Sequence, residues 1–242
     1  MNANARQVAT YLQKSKCTVI LTGAGMSTES GIPDFRSENG LWHGRDPMTI
    51  ATPEALETDY ETFFNFYLAR LEALDEASPH KGHQILAKWE ENGFTHHVAT
   101  QNVDGFHRQA GQQHISELHG SIQAIRCHDC NMKASDEKFR SKGACSACGG
   151  RLRPDIVLFG EMLPQQEWER SIEMISEAEL VLVIGTSLQV APVSQLPNLT
   201  PGQKVWINQE APEREEWFDL TIQGKAGEIL TEIDQMLSQP ES

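Results

Sequence analysis

The chain has 242 residues, 34 acidic and 20 basic, for a formal charge of −14. That length suits one large domain or one domain with a small insert, and a hydrophobic content of 39% supports a sizeable core. No apolar run reaches the roughly 18 residues of a membrane span, the start MNANARQVATYLQKSK lacks the apolar core of a signal peptide, and the acidity argues against a surface that grips nucleic acid throughout.

A cytoplasmic location without a membrane partner is therefore expected. Residues 205–242 hold nine acids and two bases, whereas residues 126–153 hold seven bases and three acids. The second stretch, net +4, could help meet an acidic partner.

In chain order, Ala5, Val8, Tyr11 and Leu12 fall at helical spacing over 3–15, and the β-branched run Thr18-Val19-Ile20-Leu21 reads as a buried strand ending in a glycine turn. Phe63, Phe64, Tyr67, Leu71 and Leu74 predict a helix over 60–74, and Ile85, Leu86 and Trp89 a second one. Phe94 to Thr100 reads as a strand running into the polar tetrad Gln101-Asn102-Val103-Asp104. The apolar runs 156–159, 180–184 and 205–207 read as further strands, with Trp168, Ile172 and Ile175 marking a helix between the first two. Strands alternating with helices predict an α/β fold with a doubly wound parallel sheet, whose functional residues gather where strands end.

Cys127-x-x-Cys130 and Cys145-x-x-Cys148 stand 14 residues apart, the pattern of a four-cysteine zinc site. Four thiolates leave no coordination position for a substrate, so such an ion is structural. The competing reading is a zinc ribbon that binds nucleic acid through its basic stretch. Cys17 stands alone and reads as a core residue.

Gly23-Ala24-Gly25-Met26-Ser27-Thr28-Glu29-Ser30-Gly31 follows the first strand, the context that a dinucleotide-binding turn requires, although the third glycine is displaced from the usual spacing. The whole string GAGMSTESGIPDFR, together with TQNVDGFHRQAG, ELHG, the cysteine pairs, RPDIVLFGE, GTSLQVAPV and INQE, resembles the sirtuin family block by block and in the same order, from about Lys16 to Ala226.

The resemblance implies a Rossmann-like sheet over 1–37, 84–122 and 154–242, a helical insert at 38–83 and a zinc module at 123–153. It implies an NAD-dependent protein-lysine deacetylase that cleaves the nicotinamide–ribose bond and moves the acyl group from lysine to ADP-ribose. NAD is then a consumed co-substrate, and the zinc ion is structural. Gly23, Ala24, Gly25, Thr28, Phe35 and Arg36 would cradle the dinucleotide, with Phe35 shielding the reacting ribose carbon from water. Gln101, Asn102, Val103 and Asp104 would position ribose and nicotinamide, Asn102 acting in catalysis with His119, the general base that takes a proton from a ribose hydroxyl. Gly185, Thr186, Ser187, Asn208, Glu210 and Ala226 would meet the adenosine side. Val157, Phe159, Gly160 and Glu161, with Leu188 and Val190, would hold an extended substrate peptide through its backbone.

Tyr67 and Arg70, three residues apart on one helix, resemble the pair in sirtuins that remove succinyl and malonyl groups, where phenol and guanidinium hold a distal carboxylate. Asp34 in the GIPDFR block resembles the ordinary deacetylase branches instead, and Phe106 replaces the usual leucine. Deacetylation is thus the expected activity, with desuccinylation the variant. Protein ADP-ribosyl transfer and a non-enzymatic, zinc-stapled NAD-sensing or DNA-binding module are the alternatives. A bare catalytic core, monomeric, is expected to bind acylated-lysine proteins.

Overall fold

The computed structural model describes residues 3–35, 40, 41, 44 and 46–238. Six parallel strands form the main sheet: β1 (Thr18–Thr22), β2 (His97–Thr100), β3 (Ile115–Glu117), β7 (Leu180–Ile184), β8 (Gln203–Asn208) and β9 (Leu220–Gln223), in the order β3-β2-β1-β7-β8-β9. The order reverses between β1 and β7, where Thr18 to Thr22 pair with Leu180 to Ile184. Connections diverge from that seam, and a crevice opens beyond its strand ends.

Alternation along the strands covers both faces. Ile20, Leu182, Ile184, Val205 and Ile207 point to a core closed by helices α1 (Ala3–Lys14), α4 (Lys81–Glu91) and α8 (Ala226–Leu237). Val19, Leu21, Val181, Val183 and Trp206 point the other way, onto α7 (Gln165–Glu177) and the turns around Val193 and Leu196. Both faces being buried explains why these strands read as continuous apolar runs. In α1, Ala5, Val8, Ala9 and Leu12 are all buried, a single stripe at the helical period.

A second core lies beside the sheet. Helices α2 (Pro53–Thr58) and α3 (Tyr60–Asp75) share it with α5 (Phe106–Gln109), α6 (Asp136–Arg140) and an antiparallel sheet of β5 (Lys133–Ala134), β4 (Gly120–Cys127) and β6 (Leu152–Ile156). Phe64 and Phe139 join the helical insert to the cysteine module, with ring centroids 5.2 Å apart. Arg140 forks onto Asp75 at 2.7 and 3.1 Å, Lys142 meets Glu61, and Arg151 donates to the carbonyls of Leu56 and Glu57.

Two expectations change here. The run 156–159 is not a strand of the parallel sheet: β6 ends at Ile156, pairs antiparallel with β4, and hands over to an irregular segment. A short β-branched run cannot say which sheet it joins. The strand expected from Phe94 begins only at His97, because Phe94 still belongs to the turn that ends α4, its N–H on the Trp89 carbonyl at 2.8 Å and its ring against the core. Part of the basic stretch 126–153 pairs with acids of α3, Arg140 with Asp75 and Lys142 with Glu61.

Candidate active site

The glycine turn is placed at the seam of the main sheet by two close approaches. Gly23 N–H donates to the Ile184 carbonyl at 3.2 Å and Gly25 N–H to the Gly185 carbonyl at 2.8 Å. A Cβ on Gly185, whose φ is +63°, would stand 2.2 Å from Met26 N, and one on Gly25 would stand 2.9 Å from Gly185 Cα. Only glycine at both positions lets the ends of β1 and β7 meet this closely.

Above that seam lies a cavity of about 930 Å³ between the sheet and the small core. Gly23, Ala24, Gly25, Thr28, Phe35, Gln101, Asn102, Val103, His119, Gly185, Thr186, Ser187, Asn208 and Glu210 all line it. So do Tyr67, Arg70, Val157, Phe159, Gly160, Glu161 and Val190. The sequence blocks scattered over some 190 residues therefore meet in one place.

Three expected residues do not line it, and Arg36 lies outside the described residues. Ala226, the first residue of α8, is buried in the core, and Leu188 packs on the other sheet face, neither lining the cavity. Asp104 is set back behind it: its carboxylate accepts from Ser27 Oγ at 2.7 Å and from Phe106 N–H at 2.9 Å. Burial raises this carboxyl above its ordinary range, against the pull of those donors.

Ser27 is the residue that sequence reading passed over. Its hydroxyl, almost wholly buried, donates to Asp104 and accepts from Asn102 Nδ2 at 3.1 Å. With its amide nitrogen fixed, Asn102 turns its Oδ1 the other way. A serine in a glycine turn gives no sign of a partner 75 residues on.

His119 follows β3, just before β4. Its Nδ1 lies 3.0 Å from the Gln101 carbonyl oxygen, which can only accept, so Nδ1 carries the proton and Nε2 of the neutral ring presents its lone pair. Burial lowers its pKa from 6.5, partly opposed by that hydrogen bond. Gln101 is itself held by Nε2 donating to Thr186 Oγ1 at 2.9 Å.

Arg70 and Tyr67 face the cavity from α3. The guanidinium carbon lies 5.5 to 5.8 Å from the ring centroids of Phe35, Phe66 and Tyr67, and no carboxylate among the described residues is within ion-pair distance. Burial pushes the Tyr67 phenol up to about 12, so it stays a protonated donor. Glu161, by contrast, turns its carboxylate away into the protein, toward Arg153.

The four cysteine sulfurs lie within 4.8 Å of one another, with contacts of 3.4 to 3.6 Å between Cys148 and Cys130, Cys127 and Cys148, and Cys130 and Cys145. A tetrahedral zinc ion with Zn–S bonds of about 2.3 Å requires sulfurs roughly 3.8 Å apart, so the donor set fits.

A model of the Sir2 family matches residues 23–192. The chain belongs to the Sir2 family. Among Sir2 relatives, the NAD-dependent protein deacetylase of Oceanobacillus iheyensis is 45% identical over 228 residues, covering 92% of this chain and 97% of that protein. A mutant Sir2 homologue in complex with ADP-ribose superposes with a TM-score of 0.92 at 36% identity, over 98% of this chain and 96% of that one. A Sir2 structure holding a deacetylated p53 peptide and 3′-O-acetyl-ADP-ribose gives 0.91 at 33% identity, over 96% of this chain and 98% of that one.

Proposed function

We infer that this protein is an NAD-dependent protein-lysine deacylase, with a zinc ion held by Cys127, Cys130, Cys145 and Cys148 as a structural staple. The observation that carries the reading is the His119 ring, which lines the cavity with its Nδ1 proton committed to Gln101 and its Nε2 lone pair without a protein partner among the described residues. It shares with Asn102 and the paired glycines a cavity of about 930 Å³ at the point where the strand order reverses. NAD supplies the ribose to which the acyl group is transferred, and nicotinamide leaves.

Each residue then has a task set by its surroundings. The turn 23–25 and the 185–187 segment bring backbone and small side chains against the dinucleotide at the seam. Asn102, oriented by Ser27, offers an amide oxygen to the ribose and nicotinamide end. His119 Nε2 accepts the proton of a ribose hydroxyl as that oxygen attacks the acyl group. Phe35 keeps water from the ribose carbon after nicotinamide departs. The 157–160 and 187–190 segments receive the substrate as an extended peptide, read mainly through its backbone. Zinc contributes no step and holds the small core together.

Acetyl-lysine is the reference substrate. Arg70 supports a second, acidic class of acyl group, because a half-buried guanidinium among three rings, one of them Tyr67, and with no carboxylate of the described residues at ion-pair distance can receive one from succinyl- or malonyl-lysine. An acyl-peptide panel with NAD, read by mass spectrometry, tests both. Nicotinamide release and O-acyl-ADP-ribose are the expected products. Absence of acyl-dependent release from zinc-replete protein refutes the deacylase reading, and label from adenine-labelled NAD appearing on protein would replace it with ADP-ribosyl transfer.

A further inference from the structure

Arg153 is fully buried on β6. Such a guanidinium is tolerated only when its donors are met, and here four of the five N–H groups are. Nη1 donates to Glu161 Oε1 at 2.6 Å, Nη2 to Glu161 Oε2 at 2.9 Å and to the Ile156 carbonyl at 2.6 Å, and Nε to the Pro154 carbonyl at 3.3 Å. One planar group thus ties both ends of the segment 156–161. Glu161 Oε2 also accepts from Leu158 N–H at 2.8 Å, and Glu161 N–H donates to the Leu158 carbonyl at 3.0 Å.

The consequence falls on the backbone that faces the cavity. Val157 N–H is taken by the His119 carbonyl and Phe159 N–H by the Ala51 carbonyl, both at 2.9 Å, while Leu158 N–H is taken by Glu161. Gly160 N–H is left without a partner among the described residues, at a φ of +91° that the closed turn imposes. The carbonyls of Val157 and Phe159 receive no backbone donor among the described residues either. An extended peptide pairs with groups of this kind, and their placement depends on the turn staying closed.

We propose that Arg153 and Glu161 are a positioning pair for peptide recognition: the buried fork between them shapes the 157–160 edge and so sets affinity for the acylated peptide without either side chain touching it. The proposal rests on the deacylase reading. Its chemistry is specific to a bidentate group, because one ammonium cannot span both Glu161 oxygens and the Ile156 carbonyl.

The test measures KM for acetyl-lysine peptide and for NAD separately, with thermal melting as a check on folding. Glu161→Gln, nearly isosteric and partly solvent-exposed, should raise the peptide KM by about tenfold or more, while the KM for NAD moves less than about twofold, as expected when only one substrate's contacts are displaced. Arg153→Lys should do the same and not rescue. Fluorescence anisotropy of a labelled acetyl-lysine peptide without turnover should show the same loss. Where Arg153→Lys does not fold, Glu161→Gln decides.

A folded variant with unchanged peptide KM, or one whose two KM values rise together, overturns the pair. A wild-type protein that shows no acyl-dependent nicotinamide release fails the deacylase reading instead, and the two failures are distinct.

Discussion

Three buried histidines should make this fold sensitive to acid. His83 is pushed down to about 2 by burial, then by His107 and His80; His107 to about 3 by burial, then by His80; and His97 to about 4 by burial, then by Arg170 and His114 against an opposing Glu90. Both ring nitrogens of His83 lack a hydrogen-bond partner, and its ring centroid lies 4.5 Å from His80 and 5.0 Å from His107. All three rings are therefore neutral in the folded chain and titrate near 6.5 once it unfolds. The folded values lie below the unfolded one, so their contribution is complete above pH 6.5 and is lost as the pH falls toward the folded values.

At pH 5 each unfolded ring gains about 2 kcal/mol from protonation that the folded ring does not share, hence about 6 kcal/mol for the three. That is a large part of the 5 to 15 kcal/mol that ordinarily holds a domain together. His83→Leu removes one ring of similar volume and breaks no hydrogen bond, so at pH 8 it should change stability by less than about 1.5 kcal/mol. Between pH 8 and pH 5 the variant should lose about 2 kcal/mol less than the wild type. Urea melts at the two pH values, both proteins zinc-loaded, give this difference of differences, and any acid release of zinc is common to both. Equal losses in the two proteins would show that His83 is not held neutral by the fold, and the reasoning would fail.

His119→Asn should lower kcat/KM by about 10² to 10⁴-fold with the fold intact by circular dichroism. In the wild type the acid limb of kcat/KM should lie below pH 6.5, because burial favours the neutral base; a limb above 6.5 contradicts the assignment. Arg70→Met should lower the ratio of succinyl to acetyl turnover by roughly tenfold, the worth of one charge-assisted hydrogen bond, and an unmoved ratio removes the carboxylate-binding role. Cys145→Ser, or chelation of the metal, should melt the small core first and cost activity with it, seen as lost protection of 120–156 in hydrogen exchange; full activity without zinc would contradict the staple.

Much of this was legible because each signal is local. The glycine turn, the cysteine pairs and the apolar runs declare themselves within a dozen residues, and strand alternation with helices gives the sheet class. The edge strands β3 and β9 escaped notice because Ile115–Glu117 and Leu220–Gln223 are short, half-polar and on the rim of the sheet, where burial no longer writes an apolar run. Ser27, Arg153 and the inward carboxylate of Glu161 escaped for a different reason: their meaning lies in partners brought close by folding. An arginine in RPDIVLFGE looks like any surface base until β6 buries it completely. Ala226 and Leu188 show the converse, since neighbours within a matching block can still turn their side chains to the core.

The charge pattern illustrates the same limit in energetic terms. As a tally, the +4 of residues 126–153 says nothing of where each charge goes: Arg140 meets Asp75, Lys142 meets Glu61, and Arg153 meets Glu161, all acids outside the stretch. The exposed members of this set are worth little singly to stability. Their effect is in orientation: Asp75 and Glu61 stand at opposite ends of α3, so the cysteine module holds that helix at both ends, with Phe64 against Phe139 between them. Tyr67 and Arg70 lie on the same helix within that span and face the cavity. The cysteine module therefore bears on the cavity-facing side chains of Tyr67 and Arg70 through α3.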